Sequence, residues 1–380
     1  MAIELPSDLV EEIISWVPAI SLVRLRYTCK EWKTLIADPR FVKKHLSHMR
    51  CREQQFTLFN NFKKPCPSSG STFSFVGIDL NELEKQKPCL NLQVFEQPNL
   101  LRTVMRMSHC DGLLLYVMMI NRLLVLNPLL KQGRWIECGY GLKNYVDTYG
   151  LGYVCNQSSL SSCNDYKIVK SHCDNINGDS RVEVYSFKSH SWKTSVDKTS
   201  NGLYRLPESS VCLQGTPYWI AYDKSDKKPV SIQSFDFSKE RFETLVLPPS
   251  HLSSNALSYL MNNLSLGIFR RDQLSLLLEC GLTSKIHLWV KKKKKQHWSW
   301  LVAVAIPITD RLPIYGSRYL SFFNEKNGKL EIFIESGYIS IYIEGYKQEC
   351  QKVEYNTDMG RTFSGCYYVP SLLWLPGFSE

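Results

Sequence analysis

A short unit recurs along most of the chain: a strand ends, a polar turn follows, and an aromatic residue opens the next strand. Val125-Leu126-Asn127-Pro128 leads through Lys131-Gln132 to Trp135-Ile136. Tyr185-Ser186-Phe187 leads through Lys188-Ser189-His190 to Trp192, and Phe235-Asp236-Phe237 through Ser238-Lys239-Glu240 to Phe242. Ile286-His287-Leu288-Trp289 leads through a lysine run to Trp298 and Trp300. The units lie roughly 50 residues apart, the length of a four-stranded blade. One such unit cannot bury its own sheet faces, but radially stacked neighbours can. Between the units lie short apolar runs bounded by turn residues, such as Leu113 to Val117, Tyr166 to Val169 and Tyr218 to Ala221. Such runs read as further strands. The pattern predicts an all-β, propeller-like array with room for about six or seven blades.

The first 46 residues read differently, with helical periodicity. Pro6 is placed for a first helical position, where its missing N–H costs nothing. Asp8, Glu11 and Glu12 favour the positive end of a helix dipole, and Leu9, Ile13 and Val17 make an apolar stripe. Pro18 ends that helix. A second helix carries Leu22, Leu25 and Cys29 on one face, and a third carries Trp32, Leu35 and Ile36. Asp38-Pro39 starts a fourth, with Phe41, Val42 and Leu46. A bundle this small cannot bury all of those apolar groups alone, and the surplus implies a partner.

Leu5-Pro6, Asp8-Leu9, Ile13-Ile14, Val17-Pro18, Leu22, Arg24, Cys29, Trp32, Leu35-Ile36 and Phe41 stand in the order of an F-box. The stretch resembles that family without a gap. The resemblance implies docking on a Skp-family adaptor and, through it, a cullin. Further on, His109 to Leu115, Asn127-Pro128, Gly150 to Tyr153, Tyr166-Lys167-Ile168 and Leu213 to Trp219 follow one known order. Ile286 to Val290 and the closing Tyr368 to Leu372 continue it. They resemble the F-box-associated domain of the large plant F-box families, which is propeller-like and kelch-related. The segment 83–97 and the lysine run fit no family word. The expected organisation is α+β multidomain: a helical F-box over residues 1–48, then an all-β propeller-like domain over 49–380.

Composition excludes little and refines much. No run of about 18 apolar residues is present, so no transmembrane helix is expected. Acidic residues stand where a signal peptide would be basic, so the sequons at Asn156 and Asn263 are not expected to be used. Thirteen irregularly spaced cysteines fit a reduced cytoplasmic or nuclear chain better than a disulfide framework. The formal charge is +10, of which Lys291 to Lys295 carry a large part. A single run is weak grounds for nucleic-acid binding, which needs basic groups spread over a face. Its position between two strands reads as a hairpin tip.

A search for catalytic chemistry finds no constellation. His109-Cys110-Asp111 are neighbours on a strand, point to alternate faces, and read as the entry to an Asp-Gly turn. Cys155, Cys163, His172 and Cys173 lack the paired spacing of a structural zinc site. Gly139-Tyr140-Gly141 lacks the helix and lysine of a phosphate loop. No cofactor and no metal are expected. The favoured function is the substrate-recognition subunit of an SCF-type cullin ubiquitin ligase, promoting ubiquitination and degradation of an unidentified target. It performs no bond chemistry itself. The alternatives are a basic nucleic-acid-binding propeller and an enzyme with a site at the propeller mouth. Adaptor-binding residues on the favoured reading are Leu5, Pro6, Leu9, Ile13, Ile14, Val17, Pro18, Leu22, Leu25 and Trp32.

Overall fold

The computed structural model describes residues 5–51, 56–61, 72–79, 90–96, 104–118, 122–138, 147–154, 164–173, 180–195, 203–205, 210–223, 229–248, 264–269, 272–280, 285–291, 298–305, 318–324, 329–335, 339–344, 350–355 and 365–375. Four helices come first: α1 (Ser7–Ser15), α2 (Ala19–Leu25), α3 (Lys30–Ala37) and α4 (Pro39–Cys51). Each boundary has a local cause. Pro6 and Pro18 are the N-caps of α1 and α2 with extended backbone, so Pro6 stands one position before the first-turn place expected for it. Cys29 was expected on the face of α2 and instead caps α3, its Sγ accepting the Trp32 amide at 3.5 Å. The cause is that α2 ends at Leu25, a full turn earlier. Asp38 Oδ1 accepts the Arg40 amide at 2.8 Å where α4 begins. The fourth helix runs three residues past the expected boundary at 48.

The strands follow in six sheets among the described residues. The first has β1 (Phe56–Asn61), β2 (Thr72–Asp79) and β3 (Leu90–Glu96). The second has β4 (Val104–Cys110), β5 (Leu113–Met118), β6 (Arg122–Asn127) and β7 (Gln132–Glu137). The third has β8 (Thr148–Val154), β9 (Asp165–Cys173), β10 (Ser180–Ser186) and β11 (Ser191–Thr194). The fourth has β12 (Leu203–Arg205), β13 (Val211–Leu213), β14 (Thr216–Asp223), β15 (Pro229–Asp236) and β16 (Arg241–Val246). The fifth has β17 (Leu264–Phe269), β18 (Gln273–Cys280), β19 (Lys285–Lys291) and β20 (Trp298–Ala305). The sixth has β21 (Arg318–Asn324), β22 (Lys329–Glu335), β23 (Ile339–Glu344) and β24 (Cys350–Tyr355). The last strand, β25 (Gly365–Tyr368), returns to the first sheet and pairs with β1, Phe56 opposite Tyr368. Its order is therefore β25-β1-β2-β3, with the last strand holding the first.

This is a β-propeller domain behind short N-terminal helices. Within the sheets, neighbours pair antiparallel, and successive sheets meet through inner strands: β25 on β4, β4 on β8, β8 on β14, β14 on β17, and β17 on β21.

The recurrent sequence unit is the hairpin between the third and fourth strands of a sheet. Its polar residue makes the same turn in three sheets. Asn127 Oδ1 accepts the amides of Leu129 and Leu130, Ser186 Oγ that of Lys188, and Asp236 Oδ1 those of Ser238 and Lys239. Each turn closes on a residue with positive φ: Lys131, His190 and Glu240. The aromatic that follows bonds between sheets. Trp192 Nε1 donates to the Glu137 carbonyl at the end of β7, and Trp298 Nε1 to the Val246 carbonyl at the end of β16, at 2.9 and 2.8 Å. Phe242 stacks edge-on with Trp219 and Phe235 in a cluster that includes Val182 and Val184 of the third sheet. Through these contacts the second sheet is tied to the third, the third to the fourth and the fourth to the fifth. The turns from first to second strand differ: Asp111-Gly112 and Gln214-Gly215 both have positive φ at both positions, the type I′ geometry of two-residue hairpins.

The helices do not stand apart from the sheets. Ala19, Leu22, Ile36, Phe41 and Val42 belong to one buried cluster with Leu113, Leu115, Leu123 and Val125 of the second sheet and Leu372, Leu373 and Leu375 after β25. That tail is pinned by Asn127 Nδ2, which donates to the carbonyls of Ser371 and Leu373 at 3.0 and 2.7 Å. Leu375 N–H donates to Gln132 Oε1 at 3.2 Å. At Gly112 a Cβ would lie 2.2 Å from Ser371 Cβ, so glycine serves both the turn and the tail's approach. The Arg26 guanidinium covers the Trp374 ring at 4.5 Å.

Candidate functional site

The most distinctive surface among the described residues is the outer side of α1. Leu9 is 52% exposed and Ile13 55%, although both are large aliphatic residues on a short helix. Trp16, at the next step of the same i, i+4, i+7 row, is 40% exposed, and Leu5 ahead of the helix is 55% exposed. An apolar row of this kind on a helix marks an interaction face more readily than scattered single residues do.

The row is held from behind by α4. The Trp16 ring stacks on His48 with centroids 4.0 Å apart, and its N–H donates to Glu12 Oε1 at 2.9 Å. Lys44 Nζ bridges Glu11 and Glu12 at 3.0 and 2.9 Å. Ser15 Oγ meets His48 Nδ1 at 2.9 Å, and His45 Nε2 lies 2.9 Å from the Val17 carbonyl. The hydrogen bonds from Lys44 and then Trp16 hold the Glu12 carboxyl below its ordinary range, and Glu12 and Glu11 raise Lys44 in return. The helix is therefore oriented by Trp16 and the polar groups beside it, while Leu9 and Ile13 stay more than half exposed.

Comparison with known proteins decides what this arrangement is. Residues 3–44 match the model of the F-box domain, and residues 67–375 match the F-box associated beta propeller domain. The chain belongs to the F-box proteins that carry an F-box-associated β-propeller. A protein of Arabidopsis thaliana named as an F-box protein is 33% identical over 99% of this chain and 100% of its own length. Another from that plant, named as an F-box/kelch-repeat protein, is 33% identical over 98% of this chain and 97% of its own. A third F-box protein from it is 32% identical over 76% of this chain and 81% of its own.

On the F-box, the ten residues picked from sequence separate by depth. Leu5, Pro6, Leu9 and Ile13 are exposed together. Ile14, Val17, Leu25 and Trp32 are half-buried and pack on the cluster shared with the propeller, and Pro18 is half-buried as the cap of α2. Leu22 has no accessible surface and lies in the core beneath the face. Its place on the short α2 turns it toward Ile36 and Phe41. Trp16 is the residue that sequence reasoning passed over. Its signal was the i+7 spacing from Leu9. Val17, the expected third position of the stripe, leaves the helical row and turns inward because α1 stops at Ser15.

Inside the propeller the candidate catalytic words become structural. His109 Nε2 accepts the Gly112 amide at 2.7 Å and so serves the turn, and Asp111 Oδ2 accepts the Tyr166 hydroxyl at 3.1 Å and ties the turn to β9. His172, considered for zinc, instead meets buried Asp147 Oδ1 through Nδ1 at 2.5 Å. Lys170 Nζ lies 3.5 Å from Asp147 and 3.6 Å from Glu183, and the Tyr149 hydroxyl donates to Asp147 Oδ2 at 3.5 Å. Burial pushes the neighbouring Cys138 thiol up to about 11 despite a hydrogen bond with Tyr149, leaving little thiolate at neutral pH. This network joins the end of the second sheet to the third. Among the described residues no group of three or more His, Cys, Asp or Glu has metal-site geometry. No helix among them is long and apolar enough to cross a membrane. Cys155, Cys163, Gly139-Tyr140-Gly141 and Lys292 to Lys295 lie outside the described residues. Lys291 ends β19 and Trp298 begins β20, and partial burial lowers the Lys291 pKa.

Proposed function

We propose that this F-box protein is the substrate-recognition subunit of an SCF-type cullin ubiquitin ligase. The observation that carries the reading is the apolar row Leu5, Leu9, Ile13 and Trp16, left open on a bundle that matches the F-box. A Skp-family adaptor covers that row and links the chain to a cullin. The propeller, with its six sheets taken as six blades, holds a target protein through loops on the constant scaffold. Bound together, target lysines and a ubiquitin-charged conjugating enzyme share a high effective concentration, and the chain contributes proximity rather than bond chemistry. The functional division falls at residue 48, with adaptor binding before it and target binding after, in the cytoplasm or nucleus.

The test is reconstitution. Full-length protein mixed with purified adaptor, cullin and RING subunit should elute as one four-component assembly. The Leu9→Asp/Ile13→Asp double variant should elute alone while melting as the parent does. Co-elution of that variant would remove the reading.

A further inference from the structure

Cys110 and Cys212 are 102 residues apart in sequence, yet the Cys212 thiol donates to Cys110 Sγ at 3.0 Å. Cys110 ends β4 of the second sheet and Cys212 is the middle residue of β13 in the fourth, so the pair spans the third sheet between them. Both strands touch each other and β8. Their surroundings are fixed. The Asp111-Gly112 turn is packed under Ser371, and the Gly215 carbonyl in the next hairpin accepts the Tyr153 amide of β8 at 2.9 Å. A Cβ at Gly152 would lie 2.1 Å from that same carbonyl oxygen. The sulfurs therefore face each other because three sheets converge there. A covalent bond needs them to close to about 2 Å, a shift of about 1 Å that side-chain rotation can supply. Cys110 is buried and Cys212 only partly so, which gives the pair one thiol that meets solutes and one that waits beside it.

We propose that Cys110 and Cys212 are an oxidant-responsive dithiol, which hydrogen peroxide converts to a disulfide tying the second sheet to the fourth. Cys212 attacks a peroxide oxygen, the O–O bond breaks, and water leaves, so that the sulfur becomes a sulfenic acid. Cys110 then attacks that sulfur, its proton passes to the departing hydroxide, and a second water leaves as the S–S bond forms. Two thiols have been oxidised by two electrons and one peroxide reduced. Cys138 does not compete, because burial keeps it protonated. The bridge closes a loop of about a hundred residues, long enough to restrict the unfolded chain strongly.

Reduced full-length protein treated with hydrogen peroxide, then alkylated and digested without reductant, tests this. One cross-linked peptide pair containing Cys110 and Cys212 is expected, with the other thiols of the thirteen still alkylated and the link reversed by dithiothreitol. The oxidised protein should melt about 5 °C higher than the reduced form. In Cys110→Ser the bridge disappears and dimedone should trap a sulfenic acid at Cys212. In Cys212→Ser, Cys110 should stay a thiol. If either serine variant fails to fold in reductant, the wild-type map still decides. Separately alkylated Cys110 and Cys212 after peroxide, over-oxidation of Cys212 beside an intact Cys110 thiol, or linkage of either to another cysteine would overturn the proposal.

Discussion

Leu22→Ala should unfold the helices and the second sheet together. Leu22 is fully buried and shares one cluster with Ile36 and Phe41 of the helices, Leu113 and Leu115 of β5, and Leu372 and Leu373 of the tail. Removing its side chain takes away about three methylene-sized groups and leaves a cavity that a rigid sheet cannot fill, a loss of about 2–5 kcal/mol. Leu9→Ala is the matched control. It deletes the same atoms from a position already half in water and should change stability by about 0.5 kcal/mol or less. Guanidinium unfolding followed by ellipticity at a helical wavelength and by tryptophan fluorescence reads both regions. For Leu22→Ala both probes should move to lower denaturant by the same amount. A helical transition that separates from an unchanged fluorescence transition would show that the two regions fold independently, and equal stability of the two variants would refute the burial argument itself.

Two further perturbations probe the propeller. Trp298→Phe removes the N–H donated to the Val246 carbonyl together with the part of the buried indole that a phenyl ring cannot fill, so a loss of about 1–3 kcal/mol is expected by denaturant titration; no loss would mean that the tie between the fourth and fifth sheets contributes nothing. Burial opposes ionisation of Asp236, but hydrogen bonds from Ser238 and Lys239 outweigh it and hold the carboxyl at about 2. A depressed folded-state pKa contributes stability above the unfolded value near 3.9 and loses it as pH falls through about 2. Asp236→Asn should therefore melt below the parent at pH 6, with the gap closing between about pH 4 and pH 2; a constant gap would contradict the assignment.

Much of this architecture was legible because it is local. The Asn127, Ser186 and Asp236 turns and the aromatics after them are short-range words, and they marked the outer hairpins correctly. The helix breaks at Pro18 and Asp38-Pro39 were legible for the same reason. The rest depends on tertiary context. Helix periodicity cannot tell that Leu22 faces a distant tail while Leu9 faces solvent, since both are leucines on amphipathic helices. It cannot register that α1 ends two residues before Val17, which moves the third position of the row to Trp16. The return of β25 to β1, and the approach of Cys110 to Cys212, are long-range pairings that no spacing rule encodes.

The central claim is that the open row on α1 receives a Skp-family adaptor. Calorimetric titration of purified adaptor into full-length protein, with Leu9→Asp/Ile13→Asp as the comparison, measures it directly. Two carboxylates buried without partners in an apolar contact should weaken binding by a factor of about 100 or more, while the melting temperature stays at the parent value. Equal affinity of parent and variant, both folded, would contradict the account.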